Sequence, residues 1–235
     1  MARLLVINPN TTATMTDAIA AVARAAASPG THIVARNPSR GPASIEGPYD
    51  RARCLEPMLE EVLRGERERC DATVVACFDD PGVAAARALV AGPVIGIAEA
   101  AMCAASMVAA RWAIVTTVQP AVAGIEELLQ RYRAVPACVG IYAADVDVLA
   151  LEHPSDETRR RVVDAASALV KDRRAEAVIM GCAGMSSLHA DIARSIDVPI
   201  IDGVATAVRL LESLLALGLA TSKRGTYATP VRRSP

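Results

Sequence analysis

Short apolar runs alternate with amphipathic stretches along most of the chain. Arg3 to Ile7 is apolar after its first residue and stops at the turn-forming Asn8-Pro9-Asn10, which predicts a first strand. Thr11 to Ala27 has helical spacing, with Asn10 or Thr11 as candidate N-cap. Thr31 to Ala35 predicts a second strand. Residues 37 to 50 carry Pro38, Gly41, Pro42, Gly47 and Pro48 and predict a loop. The alternation then continues. Helices are predicted over Glu56–Arg69, Pro81–Val90, Glu99–Ala110, Ala121–Tyr132, Asp156–Arg173, Ser187–Ser195 and Val204–Leu217. Strands are predicted over Asp71–Cys77, Val94–Ile97, Arg111–Thr116, Val139–Tyr142, Glu176–Gly181 and Pro199–Ile201. The tail from Thr221 holds Gly225, Pro230, Arg232, Arg233 and Pro235 and predicts a loose end.

One internal repeat changes the picture. Asp71-Ala-Thr-Val-Val-Ala-Cys77 parallels Glu176-Ala-Val-Ile-Met-Gly-Cys182. Each copy has an acid-Ala start, a strand core and a cysteine six residues on. Pro93-Val-Ile-Gly96 follows the first copy and Pro199-Ile-Ile-Asp202 the second. Both halves read strand, Cys, helix, Pro, strand. This predicts an α/β fold of two similar lobes with mostly parallel sheets, related by a pseudo-twofold. Ligands sit at the carboxyl ends of strands in such sheets, so the site is expected in the cleft between the lobes. The first lobe is expected over 1–97 and 204–235, and the second over 98–203.

Composition supports this and narrows the function. Of the 235 residues, 52% are hydrophobic but only 3% aromatic, so the apolar mass is Ala, Val, Leu and Ile, which suits buried parallel strands under Ala-rich helices. Lys plus Arg number 25 against 26 Asp plus Glu, which leaves no electrostatic footprint for nucleic acid or an anionic membrane. No apolar run reaches the length of a membrane span, and the first run is too short for a signal peptide. A cytoplasmic protein with reduced thiols is the expectation. The Ala- and Met-rich Glu99–Ala110 offers a surface for a homo-oligomer. No CxxC pair occurs, and His32, His153 and His189 are scattered, so no metal site is expected.

Of the six cysteines, Cys54, Cys70, Cys103 and Cys138 have no partner in the repeat and read as small buried hydrophobes. Cys77 and Cys182 have matched flanks. Each is expected at a strand's carboxyl end before a helix N-terminus, whose free N–H groups and dipole favour thiolate. Asp79-Asp80-Pro81-Gly82 after Cys77, and Ala183-Gly184 after Cys182, let backbone approach a ligand closely. Two acid–base groups on opposite faces of one carbon suffice for racemisation. One thiolate removes the α-proton and the opposing thiol returns one to the other face. No metal or organic cofactor is needed if the carbanion is stabilised by nearby N–H groups.

The motifs resemble the aspartate/glutamate/hydantoin racemase superfamily, and within it the hydantoin racemase branch, which includes allantoin racemases. The resemblance runs over essentially the whole chain. It rests on Val6-Ile-Asn-Pro-Asn-Thr-Thr12, Ala76-Cys-Phe-Asp-Asp-Pro-Gly82, Pro93-Val-Ile-Gly-Ile-Ala-Glu-Ala-Ala101, Val115-Thr-Thr117, Gly181-Cys-Ala-Gly-Met185 and Thr221-Ser-Lys223. It implies a two-thiol mechanism free of metal and pyridoxal, with Cys77 and Cys182 as the catalytic pair. Amino-acid racemases of the superfamily typically carry Cys-Asn-Thr at the first site, where this chain has Cys77-Phe78-Asp79. That departure points away from free aspartate or glutamate and toward a small cyclic ureide, a 5-substituted hydantoin or allantoin. An amino-acid (Asp/Glu) racemase or a cis–trans isomerase of the same superfamily, and a non-catalytic module binding a small molecule, are the other readings.

Around the cysteines, Asn8 either reaches the cleft or only builds its turn. Thr116 and Thr117 end a strand and either bind a carbonyl or are structural. Phe78 and Asp79 follow the first cysteine, and Ala183 and Gly184 the second. Asp79 accepts ring N–H groups or caps the next helix, and Asp80-Pro81 reads as a cap with a proline at the first helical position. Ser44 and Ile45 lie in the Gly/Pro-rich loop, which is a candidate to close over substrate. Glu99 either supports the site or caps a helix. Lys223 and Arg224 read as a solvated tail.

Overall fold

Among the described residues eight short strands make two sheets of four. In a computed structural model describing residues 1–230, the first sheet contains β1 (Arg3–Ile7), β2 (His32–Arg36), β3 (Ala72–Val75) and β4 (Val94–Gly96). The second contains β5 (Trp112–Thr116), β6 (Cys138–Ala143), β7 (Ala177–Met180) and β8 (Ile200–Asp202). The orders are β2-β1-β3-β4 and β6-β5-β7-β8, and every pair is parallel. The two halves of the repeat thus share one topology. Val6 lies beside Val74 and Ile7 beside Val75 in the first sheet. Ile114 lies beside Ile179 and Val115 beside Met180 in the second. All these residues except Met180, at 2%, are fully buried, as inner strands covered on both faces must be.

Among the described residues nine α-helices cover the sheets: α1 (Ala13–Ala26), α2 (Pro48–Arg53), α3 (Leu55–Arg67), α4 (Val83–Leu89), α5 (Ile97–Val108), α6 (Gln119–Arg131), α7 (Asp156–Arg173), α8 (His189–Ala193) and α9 (Gly203–Ala216). The largest core cluster runs through both sheets. Leu4, Val6 and Val74 join Ile114 and Ile179 by way of Ala98, Ala101 and Ala105 of α5 and Ala207 and Val208 of α9. The alanines let α5 and α9 pack closely between the sheets. The outer face of the first sheet packs Leu5, Ile7 and Val75 on Met58 and Val62 of α3 and Val83 of α4. That of the second packs Val115 and Val178 on Val162, Ala166 and Leu169 of α7. Burying one such aliphatic side chain stabilises the fold by roughly 1.5–3 kcal/mol. Among the described residues no helix is long and apolar enough to cross a membrane.

Several expectations need correction. Pro48–Arg53, partly assigned to a loop, is the short helix α2 with its proline in the first turn. The predicted helix Ser187–Ser195 is a 3₁₀ turn over Ala183–Leu188 followed by α8. A further 3₁₀ turn, Val148–Leu151, was not expected. Asp80-Pro81 does not cap α4, which starts at Val83 after Gly82 in the left-handed region (φ +67°). The Asp80 carboxylate instead accepts from the N–H groups of Ala98 (3.0 Å) and Glu99 (2.9 Å), and so caps the distant α5. Glu99 pairs with Arg87 at 2.6 Å. Lys223 is not a solvated tail: its ammonium donates to the carbonyls of Arg87 (2.5 Å) and Ala88 (3.3 Å), closing the C-terminal end of α4. The expectation for Arg232, Arg233 and Pro235 lies outside the described residues.

Candidate active site

In a sheet of order 2-1-3-4, chain connections leave the first and third strands in opposite directions, and a crevice opens at their carboxyl ends. Both sheets do this. β1 leads to Asn8 and β3 to Cys77; β5 ends at Thr116, with Thr117 next, and β7 leads to Cys182. The four strand ends meet around one cavity lined by Asn8, Asn10, Met15, Ile45, Ala76, Cys77, Phe78, Asp79, Thr116, Thr117, Ala121, Ile125, Val148, Gly181, Cys182 and Ala183. Both cysteines of the repeat line it, and both are free thiols.

The polar groups are held by local chemistry. The Asn8 amide donates to the Asn10 carboxamide oxygen (2.8 Å), the Thr16 hydroxyl (3.0 Å) and the Thr12 carbonyl (3.3 Å). Asn8 thereby fixes the turn before α1, and it also lines the cavity. Asn10 accepts from the Thr12 N–H (2.9 Å), and its own amide donates to the Met15 sulfur at 3.2 Å. The Thr116 hydroxyl donates to the Gly181 carbonyl (3.3 Å), which ties β5 to the turn before Cys182. A Cβ at Gly181 would lie 2.8 Å from the Val115 carbonyl, so only glycine fits there.

The loop before α2 is pinned at its base. The Thr11 N–H donates to the Pro42 carbonyl (2.9 Å), and the Thr12 hydroxyl to the Ala43 carbonyl (2.7 Å). This brings Ile45, buried, into the wall of the cavity. Ser44 is not in the wall; its hydroxyl donates to Glu46 at 2.8 Å. Gly184 also lies outside this wall and lines a neighbouring cavity. Five lining residues carried no sequence signal for a site: Met15, Ala121 and Ile125 sit in helical patterns that read as core, Val148 lies outside every predicted element, and Asn10 read only as a turn and cap. The paired amides of Asn8-Pro9-Asn10 could have marked Asn10.

The electrostatics differ from the expectation. Helix N-termini were expected to favour thiolate, but burial dominates at both sulfurs. Burial, then the nearby Asp79 carboxylate, pushes the Cys77 thiol well above its usual value, against the Asp79 N–H. Burial pushes Cys182 up to about 11, while the backbone N–H groups of Gly184 and Met185 pull it down. The helix after Cys77 starts six residues later, at Val83, too far for its N–H groups to serve that sulfur. At Cys182 the turn starts at once. Cys182 is therefore the better supported thiolate. Burial raises Asp79 to about 6, opposed by the Arg51 guanidinium. Both groups lie under α6 at Gly124, where a Cβ would be 3.1 Å from each.

The family model for Asp/Glu/hydantoin racemases matches residues 4–211. A hydantoin racemase from Rhizobium meliloti is 44% identical over 224 residues, covering 95% of this chain and 93% of that protein. Among solved structures, an allantoin racemase from Klebsiella pneumoniae superposes with a TM-score of 0.96 at 45% identity, over 99% of this chain and 95% of that one. An allantoin racemase from Pseudomonas fluorescens gives 0.95 at 36% identity, over 99% of both chains. The two solved structures share the two-lobed α/β architecture of this chain, and this chain belongs to the Asp/Glu/hydantoin racemase family and is an enzyme of the isomerase class.

Proposed function

We propose that this enzyme racemises a small cyclic ureide, a hydantoin with a C5 substituent or allantoin (itself a 5-ureidohydantoin), by moving a proton between Cys77 and Cys182. The observation that carries this is that equivalent strands of two matching sheets bring the two thiols to one cavity. The lobes divide as 1–97 with 204–235, of which 231–235 lie outside the described residues, and 98–203, and each gives one acid–base group.

In one direction the Cys182 thiolate removes the C5 proton. Electrons pass into the adjacent C4 carbonyl as an enolate. The Cys77 thiol then delivers its proton to the opposite face, and the reverse reaction exchanges the roles. Proton count balances: Cys182 gains what Cys77 gives. No external oxidant or reductant is called for. Asn8, Thr116 and Thr117 stand at the strand ends as partners for the ureide, Asp79 accepts a ring N–H, and Phe78, Ile45 and Ala183 hold the apolar side of the ring. The lining supports a neutral ureide over an α-amino acid: among the described residues no lysine, arginine or histidine lines the cavity, so an α-carboxylate would meet no cation.

The test follows optical rotation and C5 deuterium incorporation for enantiopure 5-substituted hydantoins and allantoin in deuterium oxide, against the uncatalysed rate. Wild type should accelerate both, and Cys77→Ser and Cys182→Ser should each lose racemisation. Near-normal racemisation by either variant would overturn the two-base assignment. Absence of both signals with every ureide would overturn the substrate class.

A further inference from the structure

A second pocket, open to solvent on its far side, adjoins the first. It sits between α1 and the 3₁₀ turn that follows Cys182, and its volume is about 320 Å³ against about 40 Å³ for the cavity between the cysteines. The two share two lining residues, Met15 and Ala183. Ala183 has no side chain beyond Cβ, so the Met15 thioether is the substance of the partition. Met15 is buried, and the Asn10 amide donates to its sulfur at 3.2 Å, which fixes the thioether in the wall that both pockets share. The second cavity also comes close to the reacting sulfur. Gly184 is in its wall, and a Cβ there would be 3.7 Å from Cys182 Sγ and 3.1 Å from Leu151 Cδ1. Ala18, Ala21 and Val22 of α1 and Leu151 form its apolar wall, and Thr14 and His153 stand on its exposed side.

The geometry points to Met15 as the residue that sets the size of the C5 substituent, with the cavity behind it as a subsite for large apolar substituents once that side chain is shortened. This rests on the racemase reading above. The carbon that loses its proton must lie beside Cys182, and its substituent must leave that carbon toward apolar wall rather than toward the strand ends that bind the ureide. Met15 is the part of that wall with space behind it. An apolar cavity of about 150 Å³ accepts a benzene ring, and the adjoining pocket, at about 320 Å³, has room for a phenyl group laid against its apolar wall of Ala18, Ala21, Val22 and Leu151. The space between the thiols does not.

The experiment compares kcat/KM for 5-methylhydantoin and 5-benzylhydantoin in wild type, Met15→Val and Met15→Ala. Wild type should favour the methyl compound. The benzyl-to-methyl ratio should rise in the order wild type, Val, Ala, by about tenfold or more at Ala, the scale expected when a hydrophobic pocket gains a few methylenes of space. On the Met15→Ala background, Ala18→Phe should refill the second cavity and return the ratio toward the wild-type value. Two outcomes overturn the inference while leaving the racemase reading intact: a wild type that already turns over the benzyl compound as well as the methyl, or a ratio that does not move in either Met15 variant. A wild type inactive on both hydantoins and on allantoin overturns the reading and the inference together. If Met15→Ala does not fold, Met15→Val alone decides by the same ratio.

Discussion

The hydroxyl of Tyr132, at the end of α6, donates a 2.8 Å hydrogen bond to the carboxylate of Asp80, three residues after Cys77. The same carboxylate accepts from two N–H groups of the first turn of α5, and the Asp80 N–H donates to the Cys77 carbonyl at 3.0 Å. One buried side chain therefore joins the turn after the first cysteine to helices of both sheets. Asp80 adopts φ +42°, a conformation strained for aspartate and held by these four bonds.

Removing parts of this junction should cost stability in steps. Tyr132→Phe should destabilise by about 1–2 kcal/mol, one hydrogen bond to a buried acceptor. Asp80→Ala should cost about 3 kcal/mol or more, because it leaves the α5 N–H groups unpaired as well. The double variant should cost little beyond Asp80→Ala, since both delete the same contact. Urea denaturation of the four proteins checks the order and the non-additivity.

Gly96, the residue before α5, should admit no side chain. A Cβ there would sit 2.1 Å from the Asp80 carboxylate carbon and oxygen, in fully buried surroundings. Gly96→Ala should therefore push Asp80 out of its cap and lower the unfolding midpoint at least as far as Asp80→Ala does. It should also slow turnover through displacement of the Cys77 turn. Parallel unfolding and activity measurements on the two variants decide this.

Burial lifts Asp80 from 3.8 to about 7, its three hydrogen bonds only partly opposing, and lifts Asp79 to about 6. Between the ordinary carboxylate value and these raised values, the folded protein holds protons that the unfolded chain has released. Stability from this source is complete below about pH 4 and is lost as pH rises through 6 to 7. Asp79→Asn should flatten the lower part of that decline. Thermal unfolding across pH 4 to 8 measures it.

Asp79 should also set the alkaline pH dependence of turnover. Its charge is the largest electrostatic influence raising Cys77, after burial. Asp79→Asn removes a negative charge beside the developing thiolate, so the Cys77 thiol becomes more acidic. In the direction where Cys77 is the base, kcat/KM should reach its plateau at lower pH than in wild type, with a smaller change in the opposite direction. Initial rates from each enantiomer over pH 6 to 10 make the comparison. An unchanged profile in both directions would remove Asp79 from any role in tuning the thiol.

Much of this molecule is legible along the chain because strand and helix periodicity are local. Val6, Val74, Ile114 and Ile179 are apolar in short runs, and such runs, split by amphipathic segments, make parallel sheets under helices. The repeat around Cys77 and Cys182 is also local, and it singles out two cysteines from six without any knowledge of contacts. What the sequence could not decide is which distant groups meet. Asp202 caps its own helix, α9, through the N–H groups of Val204 and Ala205, and that kind of cap can be read from spacing. The matching helix α5 has Gly96, without a side chain, at its N-cap position, and its cap comes from Asp80 on another connection. Only the packed sheets bring them together. Burial is likewise a property of the whole fold, which is why the thiols expected to ionise readily are pushed upward, and why Met15, an ordinary apolar position on α1, becomes the wall between two cavities.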